Sequence, residues 1–384
     1  MIYTYVATCL FGLEHILGEE IDALGYKRTE TIDGRVIFEG DESAVARCNI
    51  WLRTAERVFL LAGRCRAESF DMLFEGVRSM PWENYIGERD EFPVKGHSIK
   101  SALFSIPDCQ KIVKKAVVER LKSKYGTSWF AEDGVKYQIE FFILKDEAML
   151  MIDTSGNALL KRGYRPGTLE APLRETLAAA LALTARPRED VLFWDPFCGS
   201  GTIAIEAAMY MKNKAPGQNR KFSAEDFSIF DKSVWKNARE EAESAIKETN
   251  FEAYASDINP DCVAFAKECV KRAGVFGTVK AFERNALEIS TGGRRGTIVC
   301  NPPYGERMFT MAQTEELYKK MGEHFKTLDS WQIYVITSCE TFERLYGRRA
   351  DKVRKLYNGM IPCYFYQFFK RRENGDFKTN KPTR

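Results

Sequence analysis

Val191-Leu192-Phe193-Trp194-Asp195-Pro196-Phe197-Cys198-Gly199-Ser200-Gly201-Thr202 runs from an apolar strand through a glycine turn into a helix. Glycines at 199 and 201 let the backbone turn tightly and approach a ligand closely, and the helix opening at Thr202 offers unpaired N–H groups at its start. Outward from this unit the rhythm repeats. Strand patterns at 253–256, 279–283, 297–300 and 332–336 alternate with helix patterns at 202–211, 260–273 and 315–327. Such alternation predicts parallel strands joined by crossover helices, a doubly wound α/β domain beginning near residue 161. Residues 212–250 interrupt it as an insertion, part loop at Ala215-Pro216-Gly217 and part helix at 235–247. An aromatic strand at 361–370 ends the pattern, and the polar, basic tail after Arg371 is expected to fray.

Upstream the rhythm differs. Strand patterns at 3–9, 35–38 and 55–63 surround a helix marked by Leu13, Ile16, Leu17, Ile21 and Leu24, with a short helix at 41–49. This is a small α+β unit. A second follows, with helices at 70–79 and 107–125 and strands at 92–98, 136–144 and 147–153. Lys145-Asp146 between the last two reads as a hairpin turn.

Composition narrows the class of protein. Of 384 residues 45% are hydrophobic and 29% charged, ordinary for a soluble globular chain, and the net charge is only +3. That excludes a grip on nucleic acid by bulk charge but leaves room for a local basic face. The ten cysteines stand singly, with no C-x-x-C pair, which fits a reducing cytoplasm. His15, His97 and His324 have no ligand-spaced partners, so no metal site is expected. No signal-peptide pattern and no apolar run of membrane-spanning length is evident, so a cytoplasmic location and no membrane partner are expected, and no feature specifies an oligomeric state.

The glycine turn carries chemistry as well as a fold. Gly199, Gly201 and Ala204 satisfy the loose G-x-G-x-x-[G/A] pattern, which leaves a nicotinamide dehydrogenase open. Asp195 counts against a pyrophosphate there and suits a ligand that is cationic at that point, such as the amino and sulfonium groups of S-adenosylmethionine. Asp195, Pro196, Phe197, Cys198, Gly199, Ser200, Gly201 and Thr202 form the candidate cofactor turn. Asp257, with Ile258 beside it, closes the next strand, where an acid can accept both hydroxyls of a ribose. Alternatively, Asp257 or Asn259 caps the helix that starts at Pro260. Asn285 and Ala286 close the third strand; Asn285 either contacts adenine or serves a turn.

Asn301-Pro302-Pro303-Tyr304 after the 297–300 strand points to the reaction. The exocyclic amine of a nucleic-acid base is a poor nucleophile because its lone pair is delocalised into the ring. It becomes reactive when acceptors hold its N–H bonds out of the plane. Asn301 Oδ1 can accept one, the Pro302 carbonyl the other with its direction fixed by Pro303, and Tyr304 can stack on the extruded base. Methyl transfer then needs in-line placement more than a strong base.

With these residues in view, the chain resembles class I amino-methyltransferases, whose motifs I, II and IV match 195–202, Asp257 and 301–304. Lys161-Arg162-Gly163-Tyr164-Arg165 and Ala171-Pro172-Leu173-Arg174-Glu175-Thr176-Leu177-Ala178 are similar to the segment before motif I in THUMP-domain RNA methyltransferases. Asn301 to Arg307 and the insertion with Trp235 fit the same group. The nearest resemblance is to the RlmL type, 23S rRNA guanine-N2 methyltransferases often labelled N6-adenine DNA methylases. It implies a ferredoxin-like domain at 1–65, a THUMP RNA-binding domain at 66–160 and a Rossmann-like methyltransferase domain at 161–384. It also implies S-adenosyl-L-methionine as cofactor and large-subunit rRNA as partner. Larger members carry a second methyltransferase domain beyond the point where this chain stops, and family motif III often has Asp where Asn285 stands.

Lys111, Lys114 and Lys115 crowd one helix with Arg120, Lys122 and Lys124, a face that is either solvated or turned to phosphates; the THUMP resemblance favours RNA. Arg348, Arg349, Lys352, Arg354 and Lys355 form another basic run. The Asn-Pro-Pro-Tyr motif alone also serves adenine N6. A tRNA guanine-N2 methyltransferase, a DNA adenine-N6 methyltransferase and a non-catalytic RNA-binding assembly factor therefore stay open.

Overall fold

The computed structural model describes residues 1–127, 129–167, 173–304 and 310–370. Ala171-Pro172, Gly305-Glu306-Arg307 and the tail from Arg371 lie outside the described residues. The chain packs as two compact units, one of Met1–Pro166, Arg174–Leu183 and Lys212–Glu248, the other of Gly167–Leu173, Thr184–Met211 and Thr249–Arg384.

The first unit is built on β1 (Tyr3–Thr8), β2 (Lys27–Ile32), β3 (Arg35–Gly40), β4 (Arg57–Arg66), β5 (Val94–Ile99), β6 (Ile139–Leu144) and β7 (Glu147–Asp153). Its helices are α1 (Glu14–Ala23), α2 (Ser43–Trp51), α3 (Phe70–Ser79) and α4 (Ile106–Tyr125). All seven strands form one sheet in the order β2-β3-β1-β4-β7-β6-β5. The two α+β units read from the sequence thus share a backbone ladder. β4 pairs with β1 from Arg57 to Leu60 and with β7 from Phe59 to Arg66, bending at a bulge between Leu61 and Gly63. Lys145 and Asp146 both take positive φ, 50° and 64°, the signature of the tight type I′ hairpin turn expected between β6 and β7.

Two pieces from beyond residue 161 return to this unit: α5 (Glu175–Ala185), whose residues to Leu183 belong here, and the 212–248 segment with α7 (Ser233–Ser244). Division by packing therefore differs from division by sequence rhythm. The physical reason is visible in the anchors. Glu56, just before β4, accepts hydrogen bonds from the Thr176 hydroxyl and from Arg174 at 3.1 Å. Arg47 on α2 forks onto Glu241 of α7 with two bonds of 2.8 Å, and the Glu241 carboxylate holds that guanidinium above its usual pKa. Trp235 stacks on Phe222 with ring centroids 5.4 Å apart. The Gly217 N–H donates to the Ile50 carbonyl at the end of α2, 2.9 Å away.

The second unit contains β8 (Leu192–Asp195), β9 (Ala253–Asp257), β10 (Val279–Glu283), β11 (Gly296–Cys300), β12 (Trp331–Thr337), β13 (Lys352–Asn358) and β14 (Ile361–Phe368). It also contains α6 (Thr202–Met211), α8 (Pro260–Ala273), α9 (Met311–Phe325) and α10 (Phe342–Tyr346). The sheet order is β10-β9-β8-β11-β12-β14-β13; β8 to β12 run parallel, and β14 and β13 return antiparallel. The order reverses between β8 and β11, and in open α/β sheets ligands bind outside the carboxyl ends of strands at such a switch point. Trp194, Ile298, Tyr318, Phe325, Trp331 and Phe342 belong to the core beneath that edge. Among the described residues no helix is long and apolar enough to cross a membrane.

Gly217 offers a test of how the 212–248 segment docks. A Cβ there would lie 2.6 Å from the Asn49 carbonyl oxygen and 2.8 Å from Ile50 Cα, both backbone atoms that cannot swing aside. Gly217→Ala should therefore lower stability by about 1–3 kcal/mol, the usual cost of overpacking. An unchanged urea unfolding midpoint would contradict this docking.

Candidate active site

β8, β9, β10 and β11 each deliver candidate residues at their carboxyl ends. β8 ends on Asp195, which is 1% exposed, and its Oδ1 accepts the Phe197 N–H at 3.1 Å. Burial pushes this carboxyl well above the usual carboxylate range; the Phe197 N–H pulls the other way, and the nearby Asp257 charge adds to the rise. The turn then binds itself to β9. Cys198 N–H donates to the Ser256 carbonyl at 2.9 Å, Gly199 N–H to Asp257 Oδ2 at 2.9 Å, and the Trp194 indole N–H to Ser256 Oγ at 2.9 Å.

The glycines explain themselves. Gly199 and Gly201 take φ of 49° and 73°, which L side chains rarely adopt. A Cβ at 201 would press within 3.3 Å of Ala266, whereas one at 199 would meet no described residue within 4 Å. Gly201 is thus a packing glycine, and Gly199 fronts open space. Ser200 and Thr202 turn their hydroxyls to each other at 2.8 Å. Pro196 is buried, and half-buried Phe197 packs against the core. Cys198 is buried and its thiol pushed far up by that burial, so it offers no nucleophile.

Asp257 does two jobs. Its Oδ2 takes the Gly199 N–H and its Oδ1 the Asn259 N–H at 3.0 Å, which leaves acceptor capacity on both oxygens. Asn259 caps α8 by accepting the Asp261 N–H at 2.9 Å. Ile258 beside them is 67% exposed, an apolar side chain left at the sheet edge. Asn285 spends its side chain locally: Oδ1 caps Leu287 N–H at 3.0 Å and Nδ2 donates to Glu288 at 3.2 Å. Of the two sequence readings of Asn285, the turn is the one its side chain serves. Ala286 is buried behind it.

β11, paired with β8 through Ile298 and Trp194, delivers Asn301. Asn301 Oδ1 is buried and, among the described residues, accepts no hydrogen bond. An unpartnered buried amide oxygen costs about 1–3 kcal/mol, so it marks a place kept for a donor. Pro302 is buried and Pro303 half-buried. The Pro303 carbonyl accepts from the Tyr318 hydroxyl at 3.0 Å, and Thr337 Oγ1 lies 2.8 Å from the same hydroxyl. Tyr318 and Thr337 escaped the sequence reading. A signal exists for the first: Thr314, Tyr318, Met321 and Phe325 make the buried row of α9, and a phenol in an apolar row needs a partner. Tyr304 is half-buried; its hydroxyl accepts from Asn358 Nδ2 at 3.3 Å, and burial pushes its pKa up to about 12.

On α4, Lys111, Lys114 and Lys115 line one open groove with Pro93, Val94, Gln110 and Glu132. Lys114 is engaged within the protein: its ammonium sits 2.7 Å from Glu132 and 3.5 Å over the Phe92 ring. Arg120 and Lys124 meet Glu83, and Lys122 meets Glu119. Lys111, 3.6 Å from Asp108, and Lys115 remain exposed. The second basic run proves to be the edge strand β13 with the turn before it. Among the described residues no three His, Cys, Asp or Glu side chains gather as a metal site.

Comparison with known proteins agrees with this architecture. The RlmL ferredoxin-like domain matches residues 4–59, the THUMP domain 67–153, and the RMKL-like methyltransferase domain 162–367. The "Putative RNA methyltransferase YpsC" of Bacillus subtilis is 45% identical over 370 residues, 96% of each chain. The "Ribosomal RNA large subunit methyltransferase K/L" of Shewanella sediminis is 31% identical over 94% of this chain, which spans only 52% of that protein. The solved structure of SMU.472, described as a putative methyltransferase complexed with SAH, superposes with a TM-score of 0.90 at 38% identity, covering 97% of this chain and 99% of that one. A ferredoxin-like start, a THUMP domain and a doubly wound sheet bearing Asp195, Asp257 and Asn301 at successive strand ends thus come together in one chain, and that chain belongs to the RMKL-like methyltransferase family.

Proposed function

We propose that this protein transfers a methyl group from S-adenosyl-L-methionine to guanine N2 of large-subunit ribosomal RNA. The observation that carries the reading is the buried, unpartnered Asn301 Oδ1 at the carboxyl end of β11, beside the strand that ends in Asp195. The cofactor supplies an electrophilic methyl on a sulfonium. Its relative SMU.472 is described with SAH bound, and the residues here fit it: a buried carboxylate at 195 for a cationic group, open space before Gly199, and spare acceptor capacity on Asp257 for ribose hydroxyls.

The chain's own residues orient the nucleophile. Asn301 Oδ1 accepts one N–H of the base amine and the Pro302 carbonyl the other, which turns the nitrogen lone pair out of conjugation and toward the methyl. The ring of Pro303 and the Tyr318 bond to the next carbonyl hold the Pro302 peptide in place. Tyr304 keeps its proton and offers its ring face to the base. Bound there, the cofactor would supply the methyl and leave as a neutral thioether, and the amine, held by Asn301 and the Pro302 carbonyl, would give up one proton to water. No thiol or imidazole takes part. Support for rRNA comes from the THUMP match and from the K/L relatives; Lys111 and Lys115 supply exposed cations for phosphate on that domain.

Two variants test these roles. Asn301→Ala should abolish methyl transfer, a loss of about a hundredfold or more on the scale of removing one pre-organised polar group, while binding of S-adenosylmethionine by calorimetry stays unchanged. Near-normal turnover would sink the mechanism. Asp195→Asn should act oppositely on folding and binding. Burial raises the folded-state pKa of Asp195, so stability is lost as the pH climbs from the ordinary carboxylate range toward that raised value, and the loss is absent below the ordinary range. The variant should therefore melt higher than the parent at neutral pH, with the gain vanishing in acid. It should bind S-adenosylmethionine about tenfold more weakly or worse, for want of the charge. A lower melting temperature at neutral pH, or unchanged affinity, would contradict this.

A further inference from the structure

The hairpin that joins β13 to β14 has a feature unrelated to cofactor or amine. Asn358 pairs with Ile361, leaving Gly359 and Met360 as a two-residue turn. Gly359 has φ 67° and Met360 is not in the left-handed region, as in a type II′ turn with glycine at its first central position. The turn holds Met360 at the tip, 96% exposed, with Ile361 43% exposed behind it. A single exposed apolar side chain is unremarkable by itself. Its surroundings give this one meaning.

Asn358, at the base of the turn, donates from Nδ2 to the Tyr304 hydroxyl at 3.3 Å, and Cys363 Sγ on the returning strand lies 3.9 Å from the same oxygen. The tip is thus tied to the ring proposed to stack on the extruded base. Along the edge strand β13, Lys352 and half-buried Arg354 share one face and exposed Lys355 lies on the other. Cations suited to phosphate, an apolar tip and a stacking ring therefore follow one another on one hairpin and the turn it supports.

We propose that Met360 is a wedge: its side chain enters the base stack of a structured RNA where the target nucleotide has left it. Drawing a base from its stack costs a few kcal/mol. Proteins offset such a cost by inserting Phe, Leu, Ile, Met or Pro at the opened step. Methionine suits an irregular opening because it is unbranched and polarisable. The inference rests on the RNA methyl-transfer reading and deepens it by naming a residue that positions the substrate without touching the reacting atoms.

The test uses the full chain and rRNA from cells lacking the protein, refolded with magnesium. Met360→Ala should cut kcat for methyl transfer about tenfold or more, the scale of one unstacked step. Affinity for S-adenosylmethionine should stay within about twofold, since the wedge has no part in that site. Met360→Leu, which restores an apolar tip, should recover most of the rate. Full activity in the alanine variant, or equal loss in the alanine and leucine variants, overturns the wedge while leaving the enzyme's function standing. No transfer to RNA by the unmodified protein overturns the functional reading and the wedge with it.

Discussion

A carboxylate removed from water at the end of β8 and an amide oxygen that no described residue donates to at the end of β11 are two costs that the second unit carries. Both sit where the strand order reverses, and the structure around them serves to keep them there. The glycine turn is clamped to β9 through Ser256 and Asp257, so Asp195 cannot turn outward without breaking that turn. The Asn-Pro-Pro-Tyr segment is held from below by Tyr318 and from the side by Asn358. Polar strain of this kind belongs at sites that await a ligand. The buried aromatic core formed by Trp194, Tyr318, Trp331 and Phe342 makes the support rigid.

The first unit solves a different problem. Two small α+β pieces become one sheet because β4 is long enough to pair on both sides. The 212–248 segment and α5 add to the same body through Arg47–Glu241, Glu56 and the Gly217 contact. On α4, charge is used heavily for structure. Most of the α4 cations face carboxylates of their own domain, which explains how a chain of net charge +3 can carry a basic helix.

Much of this was legible in the residues. β10, α6 and α8 fall where the apolar periodicity and caps put them, and the Lys145-Asp146 turn is the hairpin its position suggested. β2 and β13 were missed for one shared reason. Both are edge strands with polar, largely exposed faces, so neither shows the buried alternation from which a strand is read. β13 looked like a basic run because its cations occupy the sheet edge. The docking of 212–248 on α2, the Tyr318 bond to Pro303 and the local use of Asn285 depend on partners distant in sequence or on a choice between two equal readings. The motifs pointed to a candidate site; only the fold revealed what holds those residues in place.

The central claim is that this site methylates a base amine in ribosomal RNA. Its most direct test is transfer of labelled methyl from S-adenosylmethionine to total RNA from cells lacking the protein, followed by nucleoside analysis. Label in N2-methylguanosine of the large rRNA is the predicted result. Label confined to tRNA, or absent from RNA and present as N6-methyladenine in DNA, would contradict the substrate assignment.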